Sequence, residues 1–471
     1  MFLRSFYFSI LMVFSSVLFV NYKSEEPSIS CYMDPIYLPP STPDLSGSVV
    51  ISGSVLNIVG SNGDSLGTGT SIDYDGMKIA TASGSGLNKY IQLFEKSNGS
   101  WTLLTTLSNY STSVKISGDG NYVLVAEYGS NLVDLYEWGN WNNYIHRFIP
   151  IDNNGNDISG NASNFGWQVK CDHGCVHIAI SDPGQKTVYR FRRTCTGEFE
   201  HYVNFGGPNE SYLDGTFGYS MDVSADGSTI SIGEHGNQNI RTYNFLSGPA
   251  ITLNGGSAQF PWNLALNADG TKMITTERNV STGGLTQTGN TILYSRADTS
   301  SSWTLVRAQS GPGAYYYEGW SMDMDYKGNY ISGAPGSTYG PSQSSTGKNG
   351  KIRVVHINDD DSEVDNQYIT ETDQTNMGFG NNSISFSGNG RVIVAGGNLS
   401  AGGMVKVYEI DYDCFANRTP MTGVPTPLSV VSGDALMNTL EHTDMGSVGD
   451  RIGDTSSINY DGTKAATASS I

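Results

Sequence analysis

Residues 217–236 read FGYSMDVSADGSTISIGEHG. An aromatic–Gly lead opens a short alternating apolar strand, Asp226-Gly227 turns the chain, and a second apolar strand follows. Asp-Gly between two alternating runs is a hairpin signal, because both residues tolerate the positive φ that tight hairpin turns require.

The phrase recurs along the chain. It stands as TSIDYDGMKIATAS from Thr70, SVKISGDGNYVLVAE from Ser113 and FGWQVKCDHGCVHIAISDPG from Phe165, then WNLALNADGTKMITTE from Trp262, EGWSMDMDYKGNYISGAPG from Glu318 and FGNNSISFSGNGRVIVAGG from Phe379. With the quoted stretch that makes seven copies, whose turn glycines are Gly76, Gly120, Gly174, Gly227, Gly270, Gly328 and Gly390. A spacing of roughly 50 residues is that of a four-stranded propeller blade with variable loops. A third strand follows each copy, as in YIQLF from Tyr90 or VKVY from Val405, and a fourth is clearest as WTLLTTL from Trp101 and WTLVRA from Trp303. One blade cannot bury both faces of its sheet, whereas seven packed radially can. The expected fold is therefore all-β, a seven-bladed β-propeller of four-stranded antiparallel blades over residues 47–413.

The seventh copy runs from VKVYEIDYDC into a Pro-containing segment where its fourth strand should be. The run SVVISGSVLNIVG from Ser48 precedes the first copy unpaired. An N-terminal strand completing the seventh blade would close the ring and remove two sheet edges. The chain then repeats its own beginning: NGDSLGTGTSIDYDGMKIATAS from Asn62 is echoed by VGDRIGDTSSINYDGTKAATASS from Val448, and Cys31 with its Pro-rich stretch by Cys414 with another. Residues 25–46 and 414–429 read as linkers and 430–471 as the truncated start of a second propeller, so the sequence reads as a fragment of a tandem-propeller protein. The competing reading is one eight-bladed ring that takes in the C-terminal hairpin.

Composition bounds the partners. With 57 glycines among 471 residues and no amphipathic helix pattern after residue 30, short strands and turns are expected. A net charge of −19 with scattered Lys and Arg lacks the basic footprint that phosphates require, which argues against nucleic acid. Arg4, an apolar run from Phe6 to Val20 and then polar residues read as a signal peptide or signal anchor over residues 1–24. That places the body outside the cytosol, secreted or at a cell or virion surface, with membrane attachment through the N-terminal segment as the alternative to cleavage. Five cysteines, and sequons such as Asn98 and Asn209, suit an oxidising compartment and permit a glycoprotein.

The phrases FGYSMDVSADGSTISIG, EGWSMDMDYKGNYISGAPG and GKIRVVHI resemble FG-GAP repeats, the blades of integrin α-subunit propellers and of microbial and viral surface proteins. The resemblance covers residues 44–413 and restarts near 430, and its most specific letters are the FG of Phe165, Phe217 and Phe379 and the GAP at 333–335. It implies extracellular recognition of proteins or glycans, in adhesion for instance, and no single chemistry. The Ca²⁺ loops of integrin-type blades do not carry over, because the turns here are too short to form the cage.

Candidate sites follow from loops and clusters. Tyr315, Tyr316 and Tyr317, with Tyr339, lie in long loops and suit a ligand; inter-blade packing is the alternative for the run 315–317. DNNGND at Asp152–Asp157 and NDDDSEVD, holding Asp359 and Asp361, offer oxygen ligands for Ca²⁺, or are solvated loops. No other cofactor is implied. In CDHGCVH, Cys171 and Cys175 flank a turn closely enough to pair, or stand as free buried thiols; with His173 and His177 their density would suit zinc, although the spacing matches no zinc-finger pattern. Cys31 and Cys414 are a second candidate pair. No GxSxG elbow, HExxH helix, phosphate loop or sialidase-type Asp-box is present, and no paired carboxylates suggest glycoside chemistry. A non-enzymatic binding module for a protein or glycan is expected. The alternatives are a structural repeat of a surface layer or virion coat, and a glycan-active hydrolase.

Overall fold

The computed structural model describes residues 48–470 apart from 62–63, 84–88, 109, 111–112, 128–129, 161–163, 209–212, 245–249, 257–258, 279, 335–349, 371–378, 398–402, 414–450 and 459–464. Two compact units divide the chain after position 414. The first holds seven antiparallel four-stranded sheets. In blade one, strand a is Leu66–Ile72, strand b Lys78–Ser83, strand c Tyr90–Ser97 and strand d Ser100–Ser108, hydrogen-bonded in that order. The later strands a are Val114–Ile116, Val169–Cys171, Ser220–Val223, Leu264–Leu266, Met322–Met324 and Phe379–Phe386. The described residues hold no α-helix; a 3₁₀ turn spans Pro183–Gln185.

Seven hydrophobic cores hold the ring, one at each interface between neighbouring blades. Strand b explains why. Its side chains alternate between two neighbours: in blade seven Ile393 and Ala395 enter the core shared with blade six, and Val392 and Val394 the core shared with blade one. The strand is consequently buried on both faces and reads as a near-continuous apolar run.

The turns between strands a and b form a second, polar girdle. Each opens on Asp, Ser or Asn, whose side chain accepts amide hydrogens from the far side of the turn, as Asp325 Oδ1 does from Gly328 and Asn329 at 2.8 Å each. The second and third turn residues bond to the next blade. Tyr74 N–H donates to Gly118 O, Asp119 to His173, His173 to Ala225, Asp226 to Ala268, Ala268 to Tyr326, Tyr326 to Gly388 and Asn389 back to Tyr74, all at 2.9–3.1 Å. These seven bonds close on themselves.

In six of the turns the expected glycine takes the left-handed conformation, with φ between 66° and 111°. Blade three departs from the expectation. Gly174 is the third turn residue, and Cys175 holds the left-handed place at φ 49°. The register is set by Asp172, whose Oδ1 accepts from Val176 N–H at 2.7 Å and whose carbonyl accepts from Cys175 N–H at 3.1 Å. Cys175 is joined to Cys171 by a disulfide.

Strand Ser48–Val59 supplies the missing edge of blade seven. It pairs antiparallel with strand c, Met404–Asp413, from Ser48 opposite Asp413 to Val59 opposite Met404. The ring has seven blades, and the eight-bladed alternative falls away.

The second unit contains one described hairpin, Arg451–Ile458 paired with Ala465–Ser470. Its register repeats that of strands a and b in blade one, including the irregularity: Leu66 faces Ser83 and Gly69 faces Ala82, as Ile452 faces Ser469 and Thr455 faces Ala468.

Candidate functional site at the open end of the channel

Strands a surround the ring's axis, and alternate side chains along a strand point the same way. At the a–b turn end the axis is filled by Tyr74, His173 and Tyr326, from blades one, three and six. Tyr326 Oη lies 2.8 Å from His173 Nδ1, and the Tyr74 and Tyr326 rings are 4.9 Å apart. Gly118 and Gly388 make the room: a Cβ on Gly118 would stand 2.2 Å from Tyr326 Oη, and one on Gly388 would stand 2.5 Å from Tyr74 Cδ2. Burial lowers the His173 pKa, against the pull of Asp119 and Asp172.

Above this plug a cavity of about 390 Å³ opens along the axis, walled by Thr70, Ser113, Gln168, Asn263, Ser321, Ser383 and their neighbours. Hydroxyl, amide and carboxylate oxygens of one blade accept backbone N–H groups of the next. Ser71 Oγ takes Ile116 N–H at 2.9 Å, Ser113 Oγ takes Val169 at 3.0 Å, Asp222 Oδ2 takes Leu266 at 2.8 Å, Asp323 Oδ2 takes Phe386 at 2.8 Å and Ser383 Oγ takes Thr70 at 3.0 Å. These bonds satisfy inner-edge amides that no strand pairs.

One level of the channel is charged. Lys115, Lys170, Asp222 and Asp323 stand at equivalent positions of blades two, three, four and six, two residues before each turn. Lys170 Nζ is 3.3 Å from Asp222 Oδ1. Burial would lower the Lys170 pKa, but Asp222 and then Asp323 outweigh it and hold the group above its ordinary value. Lys115 lies below its ordinary value, through burial first and then repulsion from Lys170.

At the other end, the strands a of blades three to six are entered through aromatic residues, Trp167, Tyr219, Trp262 and Trp320, which with His235 and Tyr317 form an arc over four consecutive blades. Ring centroids run from Trp167 to Tyr219 at 4.9 Å, Tyr219 to His235 at 5.3 Å, His235 to Trp262 at 5.3 Å, Trp262 to Trp320 at 6.0 Å and Trp320 to Tyr317 at 6.2 Å. All but Tyr317 are half-buried, so part of each faces solvent. Arg278 bridges two of them, its guanidinium carbon 3.9 Å from the ring centroids of both Trp262 and Trp320. Among the described residues no acceptor meets its Nε and no carboxylate pairs with it. Burial lowers its pKa.

Of the residues expected to bind a ligand, Tyr317 is buried at 3% exposure and donates its hydroxyl to Gln287 Oε1 at 2.6 Å. It is packing, and it supports the arc from beneath. Tyr315 is half-buried at φ 61°, and its N–H joins Thr286 O at 2.8 Å. Tyr316 sits 5.5 Å from Lys351 Nζ. Tyr339 lies outside the described residues, as do Cys31 and Cys414. Cys171 and Cys175 are joined, while Cys195 is free and exposed.

The acidic loops are engaged by the protein itself, the first within the loop and the second by Lys327 and Lys272. Asp152 accepts from the Asn154 and Asn156 amides at 2.8 Å each, and Asp157 from Ser159 N–H at 2.8 Å. Asp359 faces Lys327 at 3.5 Å, and Asp361 pairs with Lys272. Among the described residues no three carboxylate, imidazole or thiol groups converge as a metal site would require.

The arc was present in the sequence as the residue that follows the lead: Trp167 in FGW, Tyr219 in FGY, Trp320 in EGW and Trp262 after Pro261. Arg278 carries no such signal.

The sequence matches no known family, and no curated protein matches it. Among solved structures the chain is similar to the β-propeller domain of Cps50 (Swd1) from Myceliophteria thermophila. The two share 11% identity with a TM-score of 0.52, over 76% of this chain and 99% of that one. At that identity the likeness establishes the fold: the chain is a β-propeller.

Proposed function

We propose that this propeller is a non-enzymatic binding module whose ligand, a protein or a glycan outside the cell, docks on the aromatic arc at the open end of the channel. The observation that carries the proposal is the half-buried guanidinium of Arg278, stacked between Trp262 and Trp320 with no carboxylate paired to it among the described residues, within an aromatic surface that is partly open to solvent. Aromatic and arginine side chains of this kind dominate binding surfaces, combining a large apolar area with fixed polar groups. The FG-GAP-like phrases and the signal-like N-terminus support an extracytosolic, surface-exposed setting. The test is a screen of the full chain against arrays of glycans and secreted proteins, repeated with Trp262→Ala and Trp320→Ala. Each substitution is expected to weaken the captured ligand about tenfold or more while leaving the fold intact by circular dichroism. Unchanged binding by both variants would remove the arc from the site.

A second reading has one observation in its favour. The hairpin at 451–470 reproduces the register of blade one, as a second propeller beginning there would. In a surface layer or virion coat such tandem propellers would act as spacers. Ordered assembly of the full chain, with no saturable ligand, would support that reading over the first.

A further inference from the structure

We propose that the channel beneath the arc is a site for a carboxylate-bearing sugar, with Lys115 as the partner of the carboxylate and the aromatic arc as the seat of the sugar ring. The inference rests on the binding-module reading and deepens it.

The argument is an inventory of donors and acceptors. Asp222 gives one oxygen to Leu266 N–H and the other to Lys170. Asp323 gives its two oxygens to Met324 and Phe386 N–H. Gln168 accepts from Met221 N–H and donates to Tyr219 O. Each acceptor oxygen of Asp222, Asp323 and Gln168 thus already meets a donor of the protein itself. Ser71, Ser113 and Lys115 add donors to the same wall. Ser71 and Ser113 each accept an amide hydrogen on Oγ, which leaves their own O–H free to turn toward the axis. Lys115 lines the cavity, and no carboxylate lies within ion-pair distance of it among the described residues.

A wall with leftover hydroxyl hydrogens and an ammonium selects an anion rich in acceptors. The negative charge of an arriving carboxylate would favour the charged form of Lys115, which burial and Lys170 disfavour and Asp323 and Asp222 only partly restore. The volume of about 390 Å³ falls in the range of small-ligand pockets, and the plug makes the channel blind, so it admits a chain end and not a strand passing through. From the Lys115 level to the aromatic level is three residues of strand, about 10 Å, which is the reach of one or two sugar units. Hydroxyl and amide side chains match a polyhydroxylated ring better than a peptide backbone, whose N–H donors would face the same donors. The acid can be a free sugar or the terminus of a longer glycan.

The experiment titrates the full chain with glucuronate, its neutral methyl ester, an oligosaccharide ending in glucuronate, and hexa-aspartate, read by calorimetry and tryptophan fluorescence. Acid is expected to bind about tenfold or more tighter than ester. Lys115→Gln should erase that preference and Lys115→Arg keep most of it. A terminal oligosaccharide stronger than the free acid identifies a glycan end, and the reverse identifies a free sugar. Equal binding of acid and ester overturns the proposal, as does a preference that survives Lys115→Gln, or binding of hexa-aspartate without binding of either acid sugar. If Lys115→Gln does not fold, the acid-against-ester comparison in the wild type decides. In each overturning case, loss of captured ligand in Trp320→Ala would still uphold the arc as the binding surface. Retention there would remove both readings.

Discussion

Gly118 and Asp325 show how much of this molecule turns on single atoms near the axis. A methyl group on Gly118 would collide with both Tyr326 Oη and His173 Nδ1, whose mutual bond fills the closed end of the channel. Gly118→Ala should cost about 1–3 kcal/mol, measured by denaturant unfolding, because one of two packed side chains must leave its place. Asp325 predicts a pH effect. Burial raises its pKa to about 7, against four hydrogen bonds that pull it down, and Asp73 at the equivalent turn of blade one is raised to about 6, also by burial. The folded state therefore holds protons that the unfolded chain releases near pH 4. Stability from these groups is full below that value and is lost as the pH rises through 6 and 7, with a slope of at most about 1.4 kcal/mol per pH unit for each proton. Asp325→Asn should flatten the loss between pH 4 and 7, and urea midpoints at pH 5 and pH 8 would show it. The turn itself was legible in the sequence. The residue that takes the left-handed place in blade three was not, since Gly174 offers the obvious choice and only the hydrogen bonds of Asp172 shift that place to Cys175.

Among the elements, strand Ser48–Val59 carries the clearest consequence. It alone is separated in sequence from the sheet it completes, and Leu56 and Ile58 pack against the core that joins blades seven and one. Removing it exposes the edge of Met404–Asp413 and uncovers part of that core. Residues 60–425 should melt well below residues 28–425 and associate at higher concentration, by scanning calorimetry and sedimentation. Equal behaviour of the two would mean that the strand does not secure the ring. This closure could be read in advance because a strand was missing at one end and spare at the other. The aromatic arc could not, for a physical reason: its rings come from four different blades, and only the packing of blade against blade brings Trp167, Tyr219, His235, Trp262 and Trp320 within 5–6 Å of their neighbours. Periodicity identifies strands, because it is local, and is silent about what converges on the axis.

For the whole molecule, seven interface cores and seven backbone bonds in a circuit leave no terminal blade. An open repeat array can fray from its ends. A closed one has none, so residues 28–425 should unfold in one transition with equal calorimetric and van't Hoff enthalpies, and two resolved transitions would contradict the circuit. The clasp also sets how this ring meets tension. Ser48 and Asp413 are paired neighbours, so the polypeptide enters and leaves the propeller at adjacent points on one outer edge. Pulled from its two ends, the final sheet is loaded at that single pair and opens rung by rung, like a zipper, while the other blades bear none of the load. A ring that resists heat as a unit would thus yield to a modest tug on its two ends.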